Sequence, residues 1–284
     1  MSFYSRLILA FSPKDLVRAA LVPAVLTTAV LTFAPAAFAE RTSADDESHI
    51  DDPRVQHRSY VFEPTGETLP YAIFVPSSYD PNGTDSLPLL VSLHGLGRSY
   101  DWLMGYHGLL DQAEESGYAV VTPLGYIREG WYGSRPAEDP QDGIYSEQDV
   151  MNVLELVRDE LRIDSDRIFL WGHSMGGGGT IHLAAKHPEV FAALGVAAPA
   201  PAISAPMDEL LDKIAHLPIF ILQGDQDELV PVFATRTWVA GMAARGMQHL
   251  YVEIEGGDHS LLISQDANNM QKFIDFFNIV GHKQ

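Results

Sequence analysis

The run Ile168-Phe169-Leu170-Trp171-Gly172-His173-Ser174-Met175-Gly176-Gly177 decides how the rest of the chain is read. Its first half, with Arg167 before it, is an apolar stretch of strand length, and its second half opens a helix that runs to about His187. At the junction, Gly172-His173-Ser174-Met175-Gly176 has the form G-x-S-x-G. A strand that turns sharply into a helix lifts a serine hydroxyl out of the sheet, and side chains two residues to either side would collide. Glycine at 172 and 176 removes the collision. The same turn sets Ser174 at a helix N-terminus, where free backbone N–H groups and the helix dipole favour developing negative charge.

Working outward, strand-like and helix-like patterns alternate. Strands are expected at 59–62, 71–75, 87–93, 118–122, 167–172, 190–197, 218–223 and 249–254. Helices are expected at 108–116, 146–161, 232–245 and 265–280, beside the one that follows Ser174. Val150, Val153, Leu154 and Val157 give the second of these its amphipathic spacing. Short apolar strands alternating with helices predict an α/β domain, a mostly parallel central sheet with helices on both faces. The long connection 125–145 holds Tyr126, Trp131, Tyr132 and Tyr145 among acids, glycines and prolines. Connections of that length inside a compact domain are usually functional or mobile.

A serine hydroxyl is a weak nucleophile at neutral pH and needs a base, which in turn needs an orienting carboxylate. On a sheet of this kind the chain order is nucleophile, acid, base. Downstream of Ser174, the strand at 218–223 runs into Gly224-Asp225-Gln226-Asp227-Glu228-Leu229-Val230-Pro231, and both aspartates stand just past its C-terminal end. The sequence alone does not choose between Asp225 and Asp227. One strand later, Gly256-Gly257-Asp258-His259-Ser260 supplies His259 as the base. His173 leaves the elbow on the side away from the serine hydroxyl and is assigned to packing. His182, His187, His216 and His249 fall in or beside helices and strands and are taken as ordinary surface or core residues. No histidine pair has metal-ligand spacing, so neither metal nor cofactor is expected. A tetrahedral intermediate needs an oxyanion hole. One donor is the backbone N–H of Met175, and the other that of Leu96 in His94-Gly95-Leu96-Gly97, the loop after an early strand. His94, Tyr126, Trp131 and Tyr132 are the candidate substrate-pocket residues.

Composition bounds the alternatives. The chain has 284 residues, 46% hydrophobic, with 38 acids against 18 bases and no cysteine. It can therefore carry no disulfide framework, thiolate zinc site or thiol nucleophile. The net charge of −20 and the absence of a basic cluster argue against a nucleic-acid partner. Arg6, Lys14 and Arg18 precede an uncharged apolar stretch at 19–39 that ends in Ala37-Phe38-Ala39. That order predicts a secretory signal peptide at 1–39, with Pro23, Pro35 and the small-residue site favouring cleavage over an uncleaved anchor. Residues 40–57 follow as an acidic flexible leader, and 58–284 as one catalytic domain. Once the signal is cleaved, no stable membrane association is expected.

Leu93-His94-Gly95, the stretch 147–177, Asp227-Glu228-Leu229-Val230-Pro231 and Asp258-His259 together resemble the serine esterases and peptidases of the α/β-hydrolase fold. Similarity is greatest to secreted bacterial esterases of the polyhydroxybutyrate-depolymerase-like and feruloyl-esterase-like kinds, and to the catalytic domain of prolyl oligopeptidases. In such proteins the acid stands three residues before the valine of a D-x-x-V-P run, which carries that role to Asp227 and leaves Asp225 to shape the loop. The resemblance implies a secreted or periplasmic serine hydrolase that cleaves small-molecule or polymer carboxylic esters through a Ser174, His259, Asp227 triad and an acyl-enzyme. A prolyl-oligopeptidase-type peptidase is the alternative among enzymes. The stretch between the signal and Tyr60 is too short for the propeller that gates such peptidases, which ranks esters first. A non-catalytic hydrolase-like binding protein is the alternative outside enzymes.

Overall fold

A computed structural model describes residues 50–281. The expected signal peptide and residues 40–49 of the acidic leader lie outside the described residues. Eight strands, β1 (Val55–Phe62), β2 (Glu67–Phe74), β3 (Leu87–Leu93), β4 (Ala119–Pro123), β5 (Ile163–His173), β6 (Ala193–Ala197), β7 (Ile219–Gly224) and β8 (His249–Ile254), form one sheet in the order β1-β2-β4-β3-β5-β6-β7-β8. β1 and β2 make an antiparallel hairpin whose second strand pairs antiparallel with β4; every pairing from β4 to β8 is parallel. The helices are α1 (Leu109–Ser116), α2 (Pro140–Glu160), α3 (Met175–Lys186), α4 (Met207–Lys213), α5 (Val232–Ala244), α6 (Leu261–Ser264) and α7 (Ala267–Gly281).

The period of two along each strand sorts the core into layers. Leu89, Val91, Ile168 and Leu170 face α2 and α3, where Val150, Val153, Leu154 and Ile181 meet them. Leu90, Phe169 and Trp171 face the opposite way, toward Leu109 of α1 and Phe273 and Phe277 of α7. β3 and β5 pair as Leu90↔Phe169 through Leu93↔Gly172, so both strands are buried on both faces where they approach the elbow. Trp171 satisfies its indole N–H inside this layer by donating to Ser92 Oγ at 2.6 Å.

The sheet grows outward in opposite directions from β3 and β5: β4 lies beyond one and β6 beyond the other. Loops leaving the C-terminal ends of these two strands therefore diverge, and such a switch point is where open α/β sheets form their crevices.

The alternating pattern matches the expected order of strands, with differences at several ends. The early strands are longer than 59–62 and 71–75, because they pair as a hairpin in which Val55 stands opposite Phe74. β1 thus begins inside the stretch assigned to the leader. α2 begins at Pro140 rather than 146, with the Asp139 side chain accepting from the Gln141 amide at 2.8 Å and Pro140 in the first turn. Proline is pre-organised for that position. The long connection accordingly ends at 139, contains a tight 3-10 turn at Trp131–Gly133, and yields Tyr145 to the helix. The short helices α4 and α6 were not expected from periodicity.

Candidate active site

Ser174 occupies the sharp turn between β5 and α3 with φ of 57° and ψ of −115°. This is a left-handed backbone for a residue with a Cβ, a strained conformation that persists only where its surroundings enforce it. They do so here. The Ser174 amide donates to Ala197 O at 2.9 Å, and its carbonyl accepts from the Ala200 amide at 2.9 Å, which ties the turn to the end of β6. A Cβ on Gly172 would run into the Gly176 backbone, and one on Gly176 into the Leu93 carbonyl. The glycines at both ends of G-x-S-x-G are thus required by packing.

The structure brings Ser174, His259 and Asp227 into one line. His259, in the loop after β8, places Nε2 2.8 Å from Ser174 Oγ and Nδ1 2.7 Å from Asp227 Oδ2. Asp227, in the turn after β7, also accepts at Oδ1 from the amides of Leu229 (2.9 Å) and Val230 (2.8 Å), and at Oδ2 from Gln223 Nε2 (2.8 Å). Burial pushes the Asp227 carboxyl up, but the hydrogen bonds from His259 and Val230 outweigh it and hold the group below its ordinary value. It is therefore an anion at neutral pH. Asp225 does not reach the imidazole; its Oδ1 accepts from the Gly256 amide at 2.7 Å and braces the loop that carries His259.

Beside the hydroxyl, the His94–Gly97 turn follows β3, and a Cβ on Gly95 would come 3.7 Å from that of Ser174. Among the described residues, neither the Leu96 nor the Met175 amide donates a hydrogen bond. Two uncommitted N–H groups, one at the start of α3, thus accompany the serine. Two of the four candidate pocket residues are buried. Tyr132 is 0% and His94 1% exposed. Tyr132 packs beneath α3 against Gly179, its ring edge-on to His94 at 5.5 Å, so both rings lie in the interior. His94 sets Nε2 2.7 Å from Leu124 O and thereby ties its own turn to the connection after β4. Tyr126 belongs to an aromatic cluster with Phe62 (5.4 Å) and Tyr145 (5.0 Å), toward the hairpin. Trp131 is half-buried and carries the Arg135 guanidinium 4.2 Å above its ring.

Several residues that support this arrangement escaped the sequence reading. His173 is more than packing: its Nε2 is 2.8 Å from the backbone carbonyl of His259, and its Nδ1 is 2.6 Å from Tyr106 Oη. Burial, then the neighbouring His259, lower its pKa to about 4. The ring is neutral at pH 7, so Nε2–H donates to His259 and Nδ1 accepts from the tyrosine. Asp149 is fully buried on α2, where Oδ2 accepts from the amides of Gly125 (2.6 Å) and Tyr126 (3.1 Å) and Oδ1 from Tyr60 Oη (2.7 Å). Ser146 Oγ accepts from the Tyr132 amide at 3.0 Å. These bonds hold a connection with three left-handed non-glycine residues, Tyr126 (φ 64°), Trp131 (φ 56°) and Tyr132 (φ 52°). A carboxylate on the inward stripe of an amphipathic helix was the available signal, since Asp is almost never fully buried without partners. No group of three or more residues suited to a metal ion occurs among the described residues.

The sequence model of the Esterase family, described as "Putative esterase", matches residues 63–262. The "Putative esterase NocK" of Nocardia uniformis subsp. tsuyamanensis is 31% identical over 162 residues, which cover 57% of this chain and 46% of that protein. The chain thus spans about half the length of this curated relative. Among solved structures, a thermostable esterase superposes with a TM-score of 0.62 at 25% identity, covering 80% of this chain and 63% of the other. A ferulic acid esterase from Anaeromyces mucronatus superposes with a TM-score of 0.61 at 19% identity, covering 81% and 90%. With the mostly parallel eight-stranded sheet, these likenesses make the architecture an α/β-hydrolase fold.

Proposed function

Since this chain belongs to the Esterase family, we propose that it hydrolyses carboxylic esters through an acyl-enzyme formed on Ser174. The observation that carries this is the unbroken line from Ser174 Oγ through His259 to Asp227, set beside the uncommitted amides of Leu96 and Met175. With Asp227 ionised, His259 keeps its hydrogen on Nδ1 and offers the Nε2 lone pair to the hydroxyl. Oγ attacks the ester carbonyl as its proton passes to Nε2, and the carbonyl oxygen becomes an anion facing the two amides. Collapse expels the alcohol, which takes the proton from His259; water then enters by the same base and releases the acid. Each amide contributes roughly 3–4 kcal/mol to lowering the barrier.

The test is covalent labelling by a fluorophosphonate, with peptide mapping, beside turnover of p-nitrophenyl esters and proline-containing peptide anilides. An adduct on Ser174 and turnover of the esters are expected. A wild-type protein unlabelled at Ser174 overturns the enzymatic reading in favour of a binding protein, and turnover of anilides alone overturns the choice of esters.

The place of work is outside the cytoplasm, reached through the signal at 1–39. Among the described residues no helix is long and apolar enough to cross a membrane. Mass spectrometry of the exported protein should find a chain starting near Glu40; a cell-retained chain starting at Met1 overturns this part.

A further inference from the structure

A second hydroxyl, imidazole and carboxylate stand in line away from Ser174. His182, largely buried on α3, places Nδ1 2.7 Å from Ser204 Oγ and Nε2 3.1 Å from Glu147 Oε2 of α2. Glu147 Oε2 also accepts from Lys186 Nζ at 2.8 Å. Burial raises the Glu147 carboxyl, yet the bonds from His182 and Lys186 prevail and bring its pKa down to about 2. With Nε2 facing the Glu147 carboxylate, the His182 ring hydrogen belongs on Nε2, which leaves Nδ1 to accept from the Ser204 hydroxyl. A nucleophile bonded to a base that a third group orients is the arrangement by which serine is activated.

Access and charge complete the site. Ser204 is exposed although His182 and Glu147 behind it are not. Its loop is pinned where the Ile203 amide donates to Ser134 O at 2.9 Å. These side chains, with Arg135 and Lys186, line a cavity of about 310 Å³. Arg135 spends Nε on Pro201 O (3.2 Å) and lies on Trp131. Among the described residues no carboxylate pairs with it, although acids outnumber bases 38 to 18. A half-buried guanidinium without a counter-ion favours a ligand oxygen that bears or develops negative charge.

We propose that Ser204 is a second acyl acceptor, an activated hydroxyl that takes one acyl or phosphonyl group from a small reactive ester or fluorophosphonate. In the acyl case, the Oγ–carbon bond forms and the bond from that carbon to the leaving oxygen breaks; in the phosphonyl case, the Oγ–phosphorus bond forms and the phosphorus–fluorine bond breaks, releasing fluoride. The Oγ proton moves to His182 Nδ1 and then to the departing oxygen or fluoride, while the transient oxyanion faces Arg135. Ser204 lies in a loop and not at a helix N-terminus, so the site lacks the dipole that favours the oxyanion at Ser174, and the group accumulates rather than turning over.

The experiment treats wild-type protein and Ser174→Ala with excess fluorophosphonate and p-nitrophenyl acetate, and reads adducts by intact mass and peptide mapping. Ser174→Ala should gain one adduct, on Ser204, that disappears in Ser174→Ala/Ser204→Ala. Replacing the base, as His182→Gln, should slow this labelling about a hundredfold. Glu147→Gln, which keeps the shape of the carboxylate, should slow it in the same direction. Ser204→Ala alone should leave ester turnover unchanged. An unmodified Ser204 in folded Ser174→Ala at saturating reagent overturns the proposal, as does labelling indifferent to both His182→Gln and Glu147→Gln. The two readings fail separately: a wild type modified on Ser204 alone removes ester hydrolysis at Ser174 and leaves this site standing.

Discussion

Ser174 meets Nε2 of His259, whose Nδ1 meets Asp227; Ser204 meets Nδ1 of His182, whose Nε2 meets Glu147. The ring is reversed between the two, but the polarisation of the hydroxyl is the same. Their backbones differ. Ser174 is held with a left-handed φ at the start of a helix, next to two amides with nothing to bond, whereas Ser204 lies in a loop before α4. Their carboxylates differ too. The Asp227 side chain is wholly covered and bonded by amides of its own turn, while Glu147 is 14% exposed and shared with a lysine. The comparison teaches that three side chains suffice to polarise a serine and can meet wherever two helices and a loop touch. Holding the oxyanion takes a strained elbow at the switch point of the sheet.

The largest expected effect separates the two serines directly. Ser174→Ala or His259→Ala should lower kcat for p-nitrophenyl esters by roughly 10⁴–10⁶-fold, while Ser204→Ala leaves it within about twofold. Steady-state kinetics on the three variants decides, and equal losses at both serines would erase the distinction. Next comes the difference in backbone donors. Leu96→Pro removes one amide without touching the relay and should cost about 100–1,000-fold in kcat with a smaller change in KM. If kcat holds, the amide of Leu96 is not part of the site.

Proton linkage gives the next smaller contrast. His173 binds its proton near 6.5 when unfolded and at about 4 when folded, so between those values the unfolded chain holds the extra proton. Stability should therefore fall by roughly 3 kcal/mol as pH drops from 6.5 to 4, with no contribution from this group above that window. Urea midpoints across pH measure it, and His173→Asn should flatten that part of the profile. Glu147 shifts in the same direction, in a more acidic window, and has the smallest effect. Its ordinary value of 4.5 falls to about 2 on folding, so its contribution is full above 4.5 and is lost as pH falls toward 2. Given its partial exposure, Glu147→Gln should cost roughly 1–2 kcal/mol at neutral pH and leave ester turnover intact. A loss of turnover in that variant would mean that the two relays are coupled.

How much was legible in the sequence follows from how local each constraint is. The elbow is written in consecutive residues: the collision that demands Gly172 occurs within the turn itself, and the one that demands Gly176 is with the adjacent strand β3, at Leu93. His259 was reachable from the order of strands. Asp227 needed a family resemblance, and the structure supplies the physical reason: Asp225 is spent on the Gly256 amide. What stayed hidden depends on packing between elements far apart in the chain. Tyr106 reaches His173 across 67 residues, and Glu147 reaches His182 across 35. His182 was accordingly read as an ordinary residue. Tyr132 looked like a pocket aromatic because its loop is glycine-rich and polar; only the path of that loop under α3 shows that the ring is buried. The early start of α2 was masked by Gly143 and the polar residues of its first turns, which carry no apolar period.

The placement of the last strand has a consequence for the order in which the molecule is assembled. β3, β5 and β6 can pair, and the elbow they hold can form, before anything beyond Ala200 has folded. The imidazole arrives only with the loop after β8, an edge strand docked onto β7, and closes a hydrogen bond that spans 85 residues. Such distant contacts are the slow ones, because the entropy of closing the intervening chain is spent before they form. Recovery of ester turnover during refolding should thus lag recovery of secondary structure, and the interval between the two signals times the docking of a single edge strand.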